Sequence, residues 1–235
     1  MENEKFHPDN PDDNIDLSKI EKEKIPELVE FGKVRLERMR PEHKELLHEL
    51  LSDKEHIRYT EFTEEDRTEE GCEEIINGWG EYFPFVVYDS QTNEPIGIEL
   101  IYKAECPYKK DAKKADEWKE RNQNTWESGR VFKKGVSGYG TDTKKGSVIF
   151  SFRHLKADAY TGACAPENQA PIKSLIRAGL RPDPEFRGND LDGVVKDGIN
   201  EEGFKDQFGQ HCKELRLKIT KDEFEQLEKE GIYNH

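Results

Sequence analysis

The chain of 235 residues has no run approaching the roughly 20 apolar residues needed to cross a bilayer, and residues 1–10 are acidic and lack an apolar stretch. A soluble, non-secreted, cytoplasmic protein without membrane contact is therefore expected. An excess of positive charge is also missing: 37 Lys and Arg stand against 51 Asp and Glu, a formal net charge of −14 that argues against nucleic acid as a partner. Cys72, Cys106, Cys164 and Cys212 form no CxxC pair, so reduced structural thiols are expected rather than a zinc or dithiol centre. No HExxH occurs among the seven histidines, His43 and His48 fall on different faces of a helix, and the acidic clusters at 9–16 and 190–192 lack EF-hand spacing. No metal is expected, and no internal repeat is visible. Only 33% of residues are apolar against 37% charged, so the core must be economical, while 10% aromatic content argues against wholesale disorder.

Residues 1–32 carry ten acidic and four basic side chains and only scattered apolar ones, the composition of a flexible acidic tail. Organisation is expected from Lys33 onward, as a single domain over 33–235. Val34, Leu36 and Arg38 alternate as a strand does, and Pro41 opens a helix with Leu46, Leu47, Leu50 and Leu51 on one stripe. Thr68 is placed to cap a helix running to about Tyr82, with Glu69 and Glu70 in its first turn. Two strands, 83–88 and 95–102, flank a polar hairpin turn. Residues 103–124 form a charged insertion with a helical stretch at 111–121. A strand at 125–132, a glycine-bearing loop at 135–140 and a helix opened by Thr141 follow, then a strand at 157–165 and a short helix at 169–178 closed by Gly179. The segment 183–209 offers one weak strand around Val194 and Val195, whereas Leu215, Leu217 and Ile219 alternate as a strand before a C-terminal helix anchored by Phe224 and Leu227.

The informative segment is Gly135-Val136-Ser137-Gly138-Tyr139-Gly140-Thr141-Asp142. Glycines between a strand and a helix start let backbone N–H groups approach an anion, and the helix dipole adds to the attraction. No Gly-Lys-Ser or Gly-Lys-Thr closes the loop as in a Walker motif, and the spacing differs from the dinucleotide GxGxxG. In this element order, Gly138-Tyr139-Gly140-Thr141-Asp142 resembles the pyrophosphate loop of the GNAT superfamily of acetyl-CoA-dependent N-acetyltransferases. Ala165-Pro166-Glu167-Asn168-Gln169-Ala170 through Arg177-Ala178-Gly179-Leu180 resembles that family's strand-end asparagine and the helix after it. The similarity spans roughly Val34 to Thr220. It is nearest to the branch of ribosomal-protein N-terminal acetyltransferases (RimJ/RimL-like) and small-amine acetyltransferases, in which Arg35-Leu36 and Arg40-Pro41-Glu42-His43 also look familiar.

The resemblance implies an α+β fold, a mixed central sheet of about six to seven strands flanked by helices. It implies that the strand before the loop and the strand at 157–165 splay apart so that the pantetheine arm of acetyl-CoA slots in as a substitute strand. Backbone of Val131, Phe132 and Lys133 then faces the cofactor, N–H groups of Val136, Ser137, Gly138, Tyr139, Gly140 and Thr141 receive the pyrophosphate beside Lys133 and Lys134, and Asn168 approaches the pantetheine. A backbone N–H near Phe132 stabilises the oxyanion. Glu127 is the expected general base, with Glu99 the second candidate. The family's acidic Tyr position is Leu175 here, leaving Tyr160 as the substitute; Gly135, Pro171 and Leu180 are further departures. The implied activity is acetyl transfer to a primary amine, such as a peptide N-terminus or a small cationic amine, by a monomer or homodimer without metal. A non-catalytic module that binds acyl-CoA or a basic partner protein is the alternative.

Overall fold

The computed structural model describes residues 25–60, 62–186 and 198–234. Among them nine strands lie in one sheet: β1 Leu28–Phe31, β2 Val34–Arg38, β3 Phe83–Asp89, β4 Pro95–Lys103, β5 Thr125–Phe132, β6 Ala159–Cys164, β7 Arg181–Pro182, β8 Ile199–Lys205 and β9 His211–Thr220. The spatial order is β1-β2-β3-β4-β5-β6-β9-β7, with β8 also paired to β9. Neighbours run antiparallel except β5 and β6, which are parallel, so the sheet is mixed as expected. The helices are α1 Lys44–Ser52, α2 Glu69–Asn77, α3 Ala112–Arg121, α4 Gly140–Arg153, α5 Gln169–Arg177 and α6 Lys221–Lys229.

The sheet has more strands than the expected six to seven because β1, β7 and β8 are short or irregular in sequence. Residues 28–31, assigned to the tail by their acidic context, form β1 instead. Gly32 at φ 56° and Lys33 close a two-residue hairpin that brings Phe31 opposite Val34, and Val29 and Phe31 turn inward while Leu28 and Glu30 face out. Two inward apolar residues are too few to register as a period-two pattern. α2 begins where Thr68 accepts a hydrogen bond from Gly71 N at 3.0 Å, but it ends at Asn77 rather than near Tyr82. Gly78 supplies the end: the Tyr82 ring packs where its Cβ would be, at 2.0 Å, and the Tyr82 hydroxyl donates to Glu74 O at 2.8 Å. In the 103–124 insertion, Asp111 caps α3, which buries Trp118 as its anchor. Val194 and Val195 lie outside the described residues.

Strand alternation sends side chains to two separate cores. On one face Trp126, Phe83, Phe85 and Leu217 pack under α4, whose residues 146–152 are all buried; Gly146 lets that helix approach Leu36 closely. On the other, Val86, Ile98 and Val131 pack under Leu47, Leu50 and Leu51 of α1 and Ile75 and Ile76 of α2. No helix among the described residues is long and apolar enough to cross a membrane. Phe150 of α4 is fully buried edge-on to Phe83 and Phe85, with ring centroids 5.3 and 5.0 Å away. Phe150→Ala is expected to cost about 3–5 kcal/mol of stability, read as a lower urea midpoint at unchanged slope.

Candidate active site

Strands β5 and β6 pair only at Thr125–Ala159 and Trp126–Tyr160 and then part. Lys133 N donates to Ile96 O at 2.8 Å and Ala104 N to Thr125 O at 3.0 Å. The alternation of an antiparallel ladder therefore turns the main chain of Glu127, Gly129 and Val131 toward β4, and that of Ser128, Arg130 and Phe132 into the gap. Side chains occupy two of the carbonyls so exposed: Ser128 O accepts from Lys144 Nζ at 3.1 Å, and Phe132 O accepts from His56 Nε2. The N–H groups there have no strand partner. Of the three backbone positions expected to face a cofactor, Phe132 opens its main chain into the gap, whereas Val131 and Lys133 are engaged by β4, because neighbouring residues of one strand present their main chains to opposite edges.

On the α1/α2 side of the gap, Glu127 follows the last paired position and is only 7% exposed. Its Oε2 lies 3.4 Å from Arg216 Nη2 and accepts from Thr161 Oγ1, also at 3.4 Å. Arg216 Nη1 donates to Glu214 Oε2 at 3.0 Å, and Asn200 Nδ2 donates to the same oxygen at 3.1 Å. One buried guanidinium thus serves two buried carboxylates, leaving a formal negative charge uncompensated. Burial pushes the Glu127 carboxyl above its usual range, with Arg216 opposing.

A second buried cluster lies on the α4 side. Glu99 Oε1 accepts from Ser128 Oγ at 2.5 Å, Ser147 Oγ at 2.6 Å and Lys144 Nζ at 3.0 Å. Ser128 Oγ is bonded in addition to Lys144 Nζ and the Tyr160 hydroxyl. Burial lowers the Lys144 pKa and drives that of Tyr160 well above 10.

At the open end of the gap the loop 133–139 meets the start of α4. Gly135 and Gly138 take φ of 81° and 91°, with nothing within 4 Å of where a Cβ would sit. Tyr139 donates to Asp89 Oδ2 at 2.5 Å, Lys134 pairs with Asp53, and Arg130 Nη1 donates to Gly140 O at 2.6 Å. The first-turn N–H groups of α4, those of Gly140, Thr141 and Asp142, have no intrahelical acceptor and face outward with the positive end of the dipole. Val136 leans on the core and Ser137 is exposed. Across the gap, Asn168 begins α5 with its side chain making no cap bond.

Glu127, Ser128, Arg130, Lys144, Cys164 and Asn168 are among the residues that line one cavity of about 720 Å³; the loop 133–139 and the first turn of α4 lie outside that lining. The β8–β9 hairpin spans its outer side: Arg58 Nε donates to Asp206 at 2.9 Å, and Gln207 Nε2 donates to Thr60 O and Phe62 O at 2.9 and 2.6 Å. Among the expected catalytic residues only Glu127 reaches the cavity. Glu99 and Tyr160 are sealed in the cluster beneath α4. Sequence reasoning missed Ser128, Arg130, Lys144, Glu214 and Arg216. Lys144 reads as one of an exposed Lys-Lys pair, and Glu214 and Arg216 as the solvent side of an alternating strand, because pattern does not show that a second layer covers that side. Among the described residues no group of three or more His, Cys, Asp or Glu converges as around a metal ion.

Residues 33–181 match the family described as the acetyltransferase (GNAT) domain, more than half of the chain, and the protein belongs to that family. Solved structures share the fold at low identity. An acetyltransferase of the GNAT family from Bacillus anthracis is 18% identical over 83% of this chain and 99% of its own, with a TM-score of 0.58. RimJ of Mycobacterium smegmatis, in complex with CoA-disulfide, is 16% identical over 83% of this chain and 87% of its own, at 0.60. Spermidine N-acetyltransferase of Vibrio cholerae, in complex with CoA and spermine, is 14% identical over 82% of this chain and 98% of its own, at 0.55. No curated protein sequence matches the chain.

Replacing Arg216 leaves Glu127 and Glu214 buried without their cation. Arg216→Met is expected to destabilise by about 3–5 kcal/mol at neutral pH. The variant raises the folded-state pKa of Glu127 further above its unfolded value, so stability should return as pH falls through that range. Denaturant titrations at pH 7 and pH 5 check both the loss and its recovery.

Proposed function

We propose that this member of the acetyltransferase (GNAT) family moves an acetyl group from acetyl-CoA to a primary amine that arrives as a cation. The gap fits the donor. Unpaired N–H groups of Ser128, Arg130 and Phe132 offer an extended amide chain the bonds a missing strand would make. Gly135 and Gly138 leave backbone open where an anion would approach, and the α4 N-terminus favours its charge. Bound acetyl-CoA supplies an activated acyl group. Gly138 and Gly140 with Thr141 would hold its phosphates, and Asn168 would meet the pantetheine arm.

The observation that carries the acceptor assignment is the Glu127–Arg216–Glu214 cluster: two carboxylates on one guanidinium, beside the closed end of the gap, leave a negative charge that an ammonium would neutralise. Asp66, Glu74 and Glu81 line the same cavity. Glu127 then takes the proton that frees the amine lone pair, and its raised pKa makes it a stronger base than an exposed glutamate. A peptide or protein N-terminus and a small polyamine both present such a cation. Membership in the RimJ/RimL-like branch would favour the first.

The test is CoA release from acetyl-CoA across peptides, polyamines and aminoglycosides. At least one amine should be turned over; intact donor binding with no turnover would instead identify a non-catalytic acyl-CoA-binding module. Glu127→Gln is expected to lower kcat by about 10²-fold or more with donor affinity retained. The acidic limb of wild-type kcat/KM should lie above the ordinary glutamate value of 4.5 and vanish in that variant. Gly138→Val, which forces a β-branched residue to φ 91°, should weaken acetyl-CoA binding in calorimetric titration.

A further inference from the structure

Acyl transfer from a thioester expels a thiolate, and the cleft must protonate it. Tyr160, the sequence-level candidate, is fully enclosed, does not line the cavity and holds its proton more tightly than a free phenol. Leu175 has no proton to give. Cys164 lines the cavity, but burial pushes its thiol up to about 12. Arg130 is turned toward the start of α4, where its Nη1 donates to Gly140 O at 2.6 Å.

Lys144 is differently placed. It projects from α4 to the point where β5 and β6 part, donating to Ser128 O on the cleft edge, and is held there by Glu99 Oε1 at 3.0 Å and by Ser128 Oγ. It lines the cavity although only 4% exposed. Glu127 immediately precedes Ser128 on β5 and faces the opposite side of the sheet. If the acceptor amine meets Glu127 on one side, the acyl carbon lies between the two, and the sulfur lies on the Ser128–Lys144 side.

We infer that Lys144 is the proton donor to the departing CoA thiolate. The inference rests on the acetyltransferase reading. The acceptor ammonium loses one proton through Glu127 to solvent, its nitrogen bonds to the acyl carbon, and the nitrogen's second proton passes to Glu127. The C–S bond breaks with its electron pair on sulfur, which takes the Lys144 proton that otherwise bonds Ser128 O on the cleft edge, while the bonds to Glu99 and Ser128 Oγ hold the amine in place. Solvent returns a proton to Lys144 and accepts the one on Glu127, so one proton ends on CoA and one in solution. Facing Lys144 are Glu99 from β4, Arg130 from β5, and Tyr160 and Cys164 from β6. Burial and the Arg130 charge ease proton loss while Glu99 opposes it.

The experiment first follows thiolate absorbance of CoA bound to the full-length protein against pH, which needs no turnover. Lys144→Met/Glu99→Gln removes the buried cation and anion together, so neither is left unpaired; Lys144→Arg keeps the charge without a labile proton. Thermal melts and CoA titration establish that each variant is folded and loaded. The bound thiol should ionise about 1–3 pH units higher in the double variant than in wild type. In Lys144→Arg its ionisation should stay near wild type while kcat falls about 10²-fold. Identical thiol ionisation in wild type and the double variant, or Lys144→Arg turning over at the wild-type rate, overturns the inference. Failure of the wild-type protein to bind CoA or to acetylate any amine would overturn the functional reading instead.

Discussion

After Trp126 and Tyr160 the two parallel strands at the middle of the sheet stop exchanging hydrogen bonds, and the rest of the molecule is arranged around the gap that results. An interior sheet edge left open normally costs the desolvation of each unpaired amide. Here the flanks are secured: β5 is paired along its whole length to β4, and β6 along its whole length to β9. Side chains of Lys144 and His56 take carbonyls along the edge. What stays unsatisfied is a row of N–H donors at two-residue spacing, which is the complement of an extended amide chain.

The two faces of the sheet give the gap two chemical sides. Below α4, one lysine is balanced by one glutamate and a set of hydroxyls. Toward α1 and α2, one arginine is shared between two glutamates. Buried ion pairs add little net stability because desolvation offsets their attraction. Their effect here is to fix charge of defined sign on either side of one strand: a cation beside the cleft edge, and an unbalanced anion where an amine would enter. The period-two geometry of β5 achieves this separation, since Glu127 and Ser128 are consecutive and face opposite ways.

Much of this was legible in the amino-acid sequence, and the limits have physical causes. Strands β3 to β6, the loop and the helices on either side follow from hydrophobic period and glycine placement, and the resemblance at 138–142 and 165–180 led to the family that residues 33–181 match. β1 was hidden because two inward residues make no period, and α2 overran because Trp79 sits at helical spacing although Gly78 has already ended the helix. The charged residues of the cavity were harder. Glu127 drew notice only through the resemblance. Arg216, Glu214 and Lys144 look solvent-facing in a local window, and their burial depends on β8, the 103–124 insertion and α4, which tertiary packing brings together.

In the proposed function the open edge of β5 would receive the donor's pantetheine arm as a stand-in strand. Amide hydrogen exchange resolved to single residues, with and without acetyl-CoA, tests it directly. The account predicts that Arg130 and Phe132 exchange fast in the free protein and become protected on binding, while Gly129 and Val131, already bonded to β4, change little. Protection confined to the loop at 133–140, or equal at odd and even positions of β5, would contradict it.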